Sequence, residues 1–293
     1  MENNIHKIDT ACIACDGRTF YFFANKNNFD LYRCKNCRLI FVWPIPQNLT
    51  DLYSQDYFSG AKLGFGYVNY EEDKSAMSKT FDIYLKDIEQ FTSSKGRILD
   101  IGAATGFFVQ LALARNWKAS GIEISDYAAS IARQKGLDIM TGTLESAGFK
   151  PASFDVVTLW DVIEHLPQPN SHLKLVHNIL EKGGLIAINT PDSRSFIAKI
   201  LGKRWHLLVP PEHLFYFSYG SLSMLLKNNG FEILHISKIG KKFTLQYIFQ
   251  TLARWQNLFI WLQLAKMLAR SRLREVGIPI NLRDNFFIIA RKK

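Results

Sequence analysis

Two acidic side chains that close neighbouring apolar runs are the first residues in the sequence that point to chemistry. Asp100 lies in the run Arg97 to Ile101, and Glu123 ends the next run, 23 residues later. The small residues between Asp100 and Gly106 let the backbone approach a ligand closely, and the helix that begins near Gly106 favours an anionic group at its start. A carboxylate at Glu123 can accept both hydroxyl protons of a ribose. The pattern predicts a pocket for a cofactor that carries a ribose and a carboxylate.

The glycine-rich turn itself is a weak signal, because nicotinamide dinucleotide sites also have one that is followed by an acid. Two details favour S-adenosylmethionine. The turn reads Gly102, Ala104, Gly106 and lacks the G-x-G-x-x-G spacing of the dinucleotide fingerprint. Asp100 lies at the end of the first strand itself, where a dinucleotide site usually carries no charge. We therefore expect S-adenosylmethionine in this pocket.

All the cysteines of the chain form two C-x-x-C pairs near its start. Cys12 and Cys15 are separated from Cys34 and Cys37 by 18 residues, which is a zinc-ribbon spacing. Two tight knuckles would complete the tetrahedral S4 set that zinc accepts and leave no open position, so the sequence predicts a structural Zn²⁺ site. Four unrelated buried cysteines are the alternative. A redox pair is disfavoured, because neither pair opens a helix within a βαβ pattern.

Three histidines are candidates for the general base that a hydroxyl acceptor would need in methyl transfer. His165 in DVIEHLP follows the fourth apolar run, where Asp161 or Glu164 could orient it. His213 in PPEHLFYF lies in the excursion after the fifth run. We predict His165 and His213 as the catalytic candidates, with a histidine that only packs its loop as the alternative for His165. His206 is interpreted as a packing residue.

The elements that must position these residues follow from short apolar runs that alternate with amphipathic stretches, which is typical of a parallel, doubly wound α/β sheet. Strands are predicted at Arg97 to Ile101, Ala119 to Ile124, Leu137 to Thr141, Phe154 to Trp160, Leu185 to Asn189, Phe231 to Ser237 and Asn285 to Arg291. Helices are predicted to start near Gly106, Asp126 and Ser171. A further helix over Glu71 to Phe91 would cover the cofactor, and Tyr70, directly before it, is predicted to reach the cofactor.

Length, composition and charge fit these elements. At 293 residues with 47% apolar content, the chain can hold one α/β domain and a small accessory module. Its start lacks the apolar core of a secretory signal, and no stretch offers the roughly 18 apolar residues of a membrane-spanning helix, so we expect a cytoplasmic protein. The net charge of +10 suits a nucleic acid, an anionic membrane surface or a phosphorylated substrate.

The sequence divides into three segments. Residues 1–45 are predicted as the zinc ribbon, residues 46–96 as a linker with the cofactor-covering helix, and residues 97–293 as the α/β domain with a helical insertion at 241–280. Within this insertion, residues 241–275 are predicted as an amphipathic, basic helix. Such a helix can bind the anionic inner face of a membrane as a peripheral contact. The alternative is a helix that packs on its own domain or on the mate of a homodimer.

The sequence from Leu99 to Lys182 resembles the class I S-adenosylmethionine-dependent methyltransferases. Its landmarks are LDIGAATG, GIEIS, FDVVTLWDVIEHLPQP (Phe154 to Pro169) and LEKGGLIAINTPD (Leu180 to Asp192). The cysteine-rich start and RWHLLVPPEHLFYFS (Arg204 to Ser218) are similar to a bacterial branch associated with cell-surface polysaccharide or secondary-metabolite pathways. The resemblance implies a Rossmann-like, seven-stranded sheet whose last strand is antiparallel.

The resemblance also implies roles for individual residues. It implies contacts to the methionine end from Asp100, Gly102, Ala103 and Gly106, to the ribose from Glu123, to the adenine from Leu144 and Glu145, and to the methyl-bearing sulfur from Trp160. One position departs from the family pattern. Ala104 stands where the middle glycine of the turn is usual, which predicts weaker cofactor binding or a slightly displaced loop.

These features predict an enzyme that methylates a small-molecule acceptor at oxygen, on a sugar or on a glycan or lipid precursor. An RNA methyltransferase whose ribbon grips the substrate is the alternative that the charge supports. Nucleic acid is the less favoured partner, because the fourth strand ends in LWDVIEH and lacks the Asn-Pro-Pro-Tyr motif used for exocyclic base nitrogens. A non-catalytic binding module of the same fold, suggested by Ala104, is disfavoured by Asp100 and Glu123.

Overall fold

The computed structural model describes residues 5–6, 8–47, 78–238, 241–244, 249, 259–269, 271, 277–280 and 283–293. The strands are β1 (Ile5–His6), β2 (Phe20–Lys26), β3 (Phe29–Cys34), β4 (Ile40–Val42), β5 (Arg97–Ile101), β6 (Lys118–Glu123), β7 (Ile139–Thr141), β8 (Phe154–Trp160), β9 (Leu180–Pro191), β10 (Phe215–Tyr216), β11 (Phe231–Ser237), β12 (Lys241–Thr244), β13 (Gly277–Ile280) and β14 (Asn285–Lys292). The helices are α1 (Ser78–Glu89), α2 (Phe107–Ala114), α3 (Asp126–Gln134), α4 (Pro169–Ile179), α5 (Phe196–Leu201), α6 (Tyr219–Asn228) and α7 (Phe259–Ala269).

Seven of the described strands form one sheet in the order β7-β6-β5-β8-β9-β14-β11. The strands β5 to β9 run parallel, and β14 runs antiparallel to both of its neighbours. The predicted Rossmann-like sheet with an antiparallel last strand is therefore confirmed. The strand order reverses between β5 and β8, and ligands of such sheets bind beyond the carboxyl ends of the strands at this point.

The apolar runs form strands with small shifts at their ends. β5 and β8 span the predicted residues, β6 is displaced by one residue, and β9 is much longer than predicted. At its start β9 is extended by pairing between Leu180 and Phe154, which lies before an irregularity in the register, and at its end Thr190 and Pro191 pair with β14. α3 begins at Asp126, as predicted, and Ser125 caps it, because its side chain accepts a hydrogen bond from Ala128 N. Helix α1 confirms a helix before β5, while Tyr70 and residues 71–77 lie outside the described residues.

The cysteine-rich segment is joined to the α/β domain by backbone pairing. Its strands β1 to β4 form a second sheet, and β10, from the excursion after β9, adds to the edge of β4. Phe41 pairs with Phe215 and Ile40 with Tyr216 in this antiparallel contact. Main-chain hydrogen bonds thus connect the cysteine-rich segment at the start of the chain to the excursion after β9.

Side chains extend this junction into a common core. Phe20 and Phe41 of the ribbon and Phe215 and Phe217 of the excursion belong to the same buried apolar cluster as Leu99 under the large sheet. The ring centroids of Phe20 and Phe41 lie 5.2 Å apart, and those of Phe41 and Phe215 lie 6.5 Å apart. The ribbon therefore packs as a part of the main core and gains apolar burial that a segment of its size could not supply alone.

Asparagines fasten the first cysteine knuckle to the helices of the α/β domain. Asn170 of α4 donates to Ile13 O at 3.0 Å, and Asn228 of α6 donates to Ala14 O at 3.1 Å. Asn229 links the two helices through Asn170, at 2.7 Å. These directional hydrogen bonds hold the ribbon against the domain and also fix its orientation there.

The insertion after β11 differs from its prediction. Residues 241–244 form β12 and pair antiparallel with β13, so the prediction of a helix at both ends of 241–280 is wrong. The ends of the insertion must return to β11 and β14, which are neighbours, and the β-branched and proline residues of GIPI favour extended backbone over helix. α7 is helical as predicted. Most of the rest of 241–275 lies outside the described residues, so the membrane contact stays a prediction.

Among the described residues, no helix is both long enough and apolar enough to span a bilayer.

The shared core predicts how the chain unfolds. Phe41→Ala should lower the free energy of unfolding by about 3–5 kcal/mol, as for other buried phenylalanines, because Phe41 is 4% exposed and contacts both segments. The loss should appear in one cooperative transition, measured by urea denaturation with near-ultraviolet and far-ultraviolet circular dichroism.

Phe22→Ala is the matched control, since Phe22 lies on the same ribbon sheet and is 43% exposed. It should change stability by less than about 1 kcal/mol. Two separate transitions in the Phe41→Ala protein, with the larger one unshifted, would contradict a common core.

Candidate active site

Glu123, at the end of β6, is a buried carboxylate that fastens the turn after β5. Its Oε2 accepts a hydrogen bond from Ala104 N and its Oε1 accepts one from Ser125 N, both at 2.8 Å. Burial raises the pKa of Glu123, and hydrogen bonds from backbone amides oppose this rise. Each carboxylate oxygen has a further lone pair, so Glu123 can hold the turn and also accept from the two hydroxyls of a ribose.

Asp100 and Gly102 lie side by side where β5 ends. Asp100 is 3% exposed, and its Oδ1 accepts a hydrogen bond from Thr158 Oγ1 at 2.7 Å, across the pairing of β5 with β8. Gly102 has φ +73°, and a Cβ there would lie 2.6 Å from Val162 Cγ2. The loop after β8 therefore packs directly on the turn, and only glycine leaves room for it.

The turn ends at Gly106, with Ala104 in its middle. Gly106 has φ +79°, and a Cβ there would lie 2.4 Å from Leu137 Cδ1. Ala104 has φ +49°, a left-handed conformation that glycine adopts freely and that costs an L-residue about 1–2 kcal/mol. The hydrogen bond that its backbone N–H donates to Glu123 helps to hold this conformation. Ala103 is buried beside it, 3% exposed.

The two residues predicted to flank the adenine differ in their surroundings. Leu144 is 6% exposed and belongs to the apolar cluster that contains Ile101 and Ile122. Glu145 is exposed and lies 3.2 Å from Nε2 of His172 on α4. Leu144 thus offers an apolar surface near the ends of β5 and β6, while Glu145 is directed to the neighbouring helix. Their contacts with adenine stay predictions.

Trp160, at the end of β8, lies within an aromatic cluster under α1. Its ring stacks on Tyr84 at a centroid distance of 4.9 Å and an interplanar angle of 7°, and it contacts Phe108 at 4.9 Å. Its Nε1 is buried and has no hydrogen-bond partner among the described residues. The predicted approach of Trp160 to the sulfur is not tested by this placement.

A polar chain that the sequence did not reveal connects α1 to the ends of β8 and β9. Tyr84 donates from its hydroxyl to Asn189 Oδ1 at 3.0 Å, and Asn189 donates from Nδ2 to Asp161 Oδ1 at 2.7 Å. Burial is the main cause that raises the pKa of Tyr84, and the charge of Asp161 adds to the rise. Asp161 has φ +54°. The one available signal was that Asn189 and Asp161 are polar residues at the ends of neighbouring parallel strands.

His165 and His213, predicted from separate segments, lie together. Their ring centroids are 4.7 Å apart with the rings nearly perpendicular at 83°. Glu164 joins them, since one ligand atom from each of the three lies within 4.8 Å of the others. Burial lowers the pKa of His165 to about 4, against opposing effects from the Glu212 backbone and Asp161. His165 is therefore neutral near pH 7.

His206, the remaining histidine candidate, has different contacts from those of the pair. His206 Nε2 is 3.4 Å from Asp284 Oδ2, and its ring packs edge-on to Trp205 at 6.5 Å. This contact agrees with its interpretation as a packing residue. His213, in contrast, is 8% exposed and its Nδ1 lies 3.0 Å from Leu207 O.

The four cysteines converge on one point. Their sulfur atoms all lie within 4.8 Å of one another, with Cys12 and Cys37 at 3.4 Å and Cys15 and Cys34 at 3.5 Å. The two knuckles are built alike. Cys12 N donates to Gly17 O and Cys34 N donates to Leu39 O, both at 2.9 Å. Four sulfur donors with this spacing fit a tetrahedral metal ion such as zinc.

The described residues also fit S-adenosylmethionine. The turn after β5 has no room for a Cβ at two positions, the next strand ends in a carboxylate with spare lone pairs, and both lie at the switch point of the sheet. Asp100, Glu123 and Leu144 would hold its methionine end, ribose and adenine respectively.

Comparison with known proteins agrees with this geometry. A family described as methyltransferase domains matches residues 76–236, more than half of the chain. The Ubiquinone biosynthesis O-methyltransferase of Azoarcus sp. (strain BH72) is 26% identical over 154 residues, which are 48% of this chain and 66% of that protein. An uncharacterised protein of Methanocaldococcus jannaschii is 32% identical over 120 residues, 40% of this chain and 57% of that protein. The chain thus spans less than two thirds of the length of these relatives.

Two solved structures resemble the fold. A SAM-dependent methyltransferase of Thermotoga maritima has 22% identity and a TM-score of 0.50 over 76% of this chain and 94% of its own. The YcgJ protein of Bacillus subtilis has 17% identity and a TM-score of 0.51 over 72% of this chain and 97% of its own. At these identities the likeness shows the fold alone.

The position of Glu123 predicts a loss of cofactor affinity on its replacement. Glu123→Gln should weaken S-adenosylmethionine binding roughly 10- to 100-fold in calorimetric titrations, because hydrogen bonds to a charged group contribute about 1.5–3 kcal/mol. Wild-type affinity should be constant at high pH and fall as the pH drops through the raised pKa of Glu123, since the protonated carboxyl loses its charge.

Glu232→Gln on β11 provides the control, because Glu232 is an exposed carboxylate on another strand. It should bind the cofactor as the wild type does. Equal affinities for the two variants at neutral pH would refute the assignment of the ribose site.

Proposed function

The chain belongs to the class I S-adenosylmethionine-dependent methyltransferases, and we propose that it transfers the methyl group to an oxygen of a small molecule. The acceptor class is a sugar, or a glycan or lipid precursor. The names of the curated O-methyltransferases among its relatives support transfer to oxygen. Those relatives share only part of their length with the chain, so their names do not identify its acceptor.

The pairing of His165 with His213 is the observation that carries this proposal. A hydroxyl acceptor must lose its proton as the new bond forms, and histidine is the usual general base near neutral pH. The two rings come from the loop after β8 and the excursion after β9, and both elements leave the edge of the sheet at which the cofactor pocket lies. A site that only bound the cofactor would not require this pair.

Each residue then has a defined task. When bound, S-adenosylmethionine supplies an electrophilic methyl group on a sulfonium. Glu123 and Asp100 hold the cofactor, so that donor and acceptor are aligned before reaction. If the Leu207 carbonyl accepts from Nδ1 of His213, the basic lone pair of that ring lies on Nε2 and can take the proton. Asn189 and Tyr84 keep Asp161 in its left-handed conformation beside this loop.

The four cysteines support a second part of the proposal, a structural zinc ion. Four sulfur ligands leave no coordination position for water or substrate. The ion would hold the second knuckle to the first, which α4 and α6 contact through Asn170 and Asn228. Its role would be to fix the ribbon against the domain, with no part in the chemistry.

The histidine pair predicts a selective loss of turnover. His165→Gln and His213→Gln should each lower kcat about 10²- to 10⁴-fold, the usual contribution of a general base, while S-adenosylmethionine binding is unchanged. His206→Gln is the control and should keep kcat within about threefold. Methyl transfer from labelled cofactor into nucleotide-sugar pools is the measurement, with total RNA at low and moderate salt in parallel.

The pH profile of the wild type gives an independent test that needs no variant. With saturating cofactor, kcat/KM for the acceptor should be level above about pH 5 and fall as the pH approaches the pKa of His165, about 4. Label that enters RNA alone, or full turnover in both histidine variants, would rule out O-methylation of a small molecule by this pair.

Zinc removal should act on stability before it acts on chemistry. The purified protein should contain one zinc ion per chain by mass spectrometry of the metal. Cys34→Ser should lower that content and the midpoint of thermal unfolding, because metal binding and folding are coupled and the ribbon shares the main core. Activity that vanishes on chelation with an unchanged melting midpoint would instead indicate a catalytic ion.

A further inference from the structure

A cavity of about 240 Å³ lies where the ribbon meets the excursion after β9. Four cationic side chains line it: Arg33 of β3, Arg38 after the second cysteine knuckle, Arg194 after β9 and Lys199 of α5. None of its lining residues is acidic. This concentration of positive charge is unusual, because cations on protein surfaces are normally interspersed with carboxylates.

The four cations of this cavity have no ion pair within the described part of the chain. Burial and the neighbouring charges of Arg38 and Arg194 lower the pKa of Arg33, and its guanidinium carbon lies 4.2 Å from the ring centroid of Phe23, which also lines the cavity. Asp192, two residues before Arg194, has its Oδ2 2.6 Å from Nζ of Lys238. Such mutual repulsion is relieved when an anion binds.

Neutral donors complete the lining. Trp205 is 2% exposed, and its Nε1 has no hydrogen-bond partner among the described residues. The same holds for the buried hydroxyl oxygen of Ser193. Buried donors without partners are rare in folded proteins and call for a ligand or water that satisfies them. A phosphate group, with several acceptor oxygens, would satisfy guanidinium, indole and hydroxyl donors together.

The location of the cavity relates it to the reaction. Ser193 and Arg194 follow the carboxyl end of β9, and this edge of the sheet carries the cofactor pocket. Leu208, which lines the cavity, is adjacent to Leu207, whose carbonyl contacts His213. At about 240 Å³ the cavity is smaller than the roughly 300–1,000 Å³ that enclose a whole drug-sized ligand, so it suits one charged group of a larger molecule.

We propose that this cavity binds a phosphate or diphosphate ester group of the methyl acceptor and thereby orients the acceptor hydroxyl toward the histidine pair. The identification of the bound group as part of the methyl acceptor rests on the proposed function, whereas the anion site itself does not. The ester can belong to a soluble sugar phosphate or to a lipid. Phe196 and Ile200 of α5 are 77% and 62% exposed next to Lys199, so an acyl or prenyl chain would also find an apolar surface there.

Calorimetric titration of the chain of residues 1–293 with pyrophosphate and with glucose 1-phosphate tests the anion site. Binding should be one to one, and Arg33→Gln and Arg194→Gln should each weaken it about tenfold or more. Arg194 is exposed, so its variant keeps the fold even if the partly buried Arg33 is needed for packing. The control is Arg18→Gln, which removes the same charge from an exposed ribbon position that does not line the cavity.

Sedimentation with phosphatidylcholine vesicles, with and without phosphatidic acid, distinguishes a lipid source of the ester from a soluble one. Binding of either probe that depends on Arg33 and Arg194 but not on Arg18 supports the anion site. Absent binding, or binding that all three variants weaken equally, overturns it. S-adenosylmethionine affinity, measured on the same variants, should be unchanged. A failure of methyl transfer with an intact anion site would therefore refute the proposed function alone.

Discussion

The hydrogen bonds of one buried carboxylate hold together the elements on which the site depends. Glu123 ends β6, takes the Ala104 amide from the turn after β5, and takes the Ser125 amide from the start of α3. An apolar side chain at this position would leave the Ala104 amide buried without a partner, at a cost of about 1–3 kcal/mol. The same bond explains how alanine can keep a left-handed conformation, since it offsets the local strain. The residue that would bind the ribose is thus also a structural support.

The ribbon is too small to bury a large apolar core alone and depends on the domain for apolar contacts. Two residues of the excursion, Phe215 and Tyr216, add to β4 and bring the ribbon into the main core. This contact also orders the excursion, because backbone pairing with β4 then fixes one edge of β10. His213 lies just before the added strand, so its position follows from the ribbon as much as from the sheet. An accessory cysteine-rich module can in this way influence the site without supplying a chemical group to it.

The parts of the fold that local pattern determines were predictable from the sequence. β5 and β8 coincide with their predictions, because unbroken apolar runs between turn residues identify buried parallel strands. β10 was not predictable, since a strand of two residues has no periodicity and forms only because a distant edge is available. Tyr84 is similar: it lies in the helix that was predicted before β5, but its hydrogen bond to Asn189 was not predictable, because that bond depends on how α1 crosses the sheet. β12 was mistaken for helix for the same reason, as its partner lies over 30 residues away.

The order of the strands arranges the charges of the site along one edge. From β6 to β5, β8 and β9, the carboxyl ends carry Glu123, Asp100, the loop with His165, and then Arg194. Acidic groups that suit hydroxyls and amines therefore lie at one end, and cations that suit phosphates lie at the other, where Asp192 is paired with Lys238. The neutral imidazole of His165 lies between them. A molecule with an anionic end and a free hydroxyl would be attracted to the β9 side and repelled from the carboxylates. Its hydroxyl would then be presented near the imidazoles, so the polarity of the edge itself selects one orientation of the acceptor.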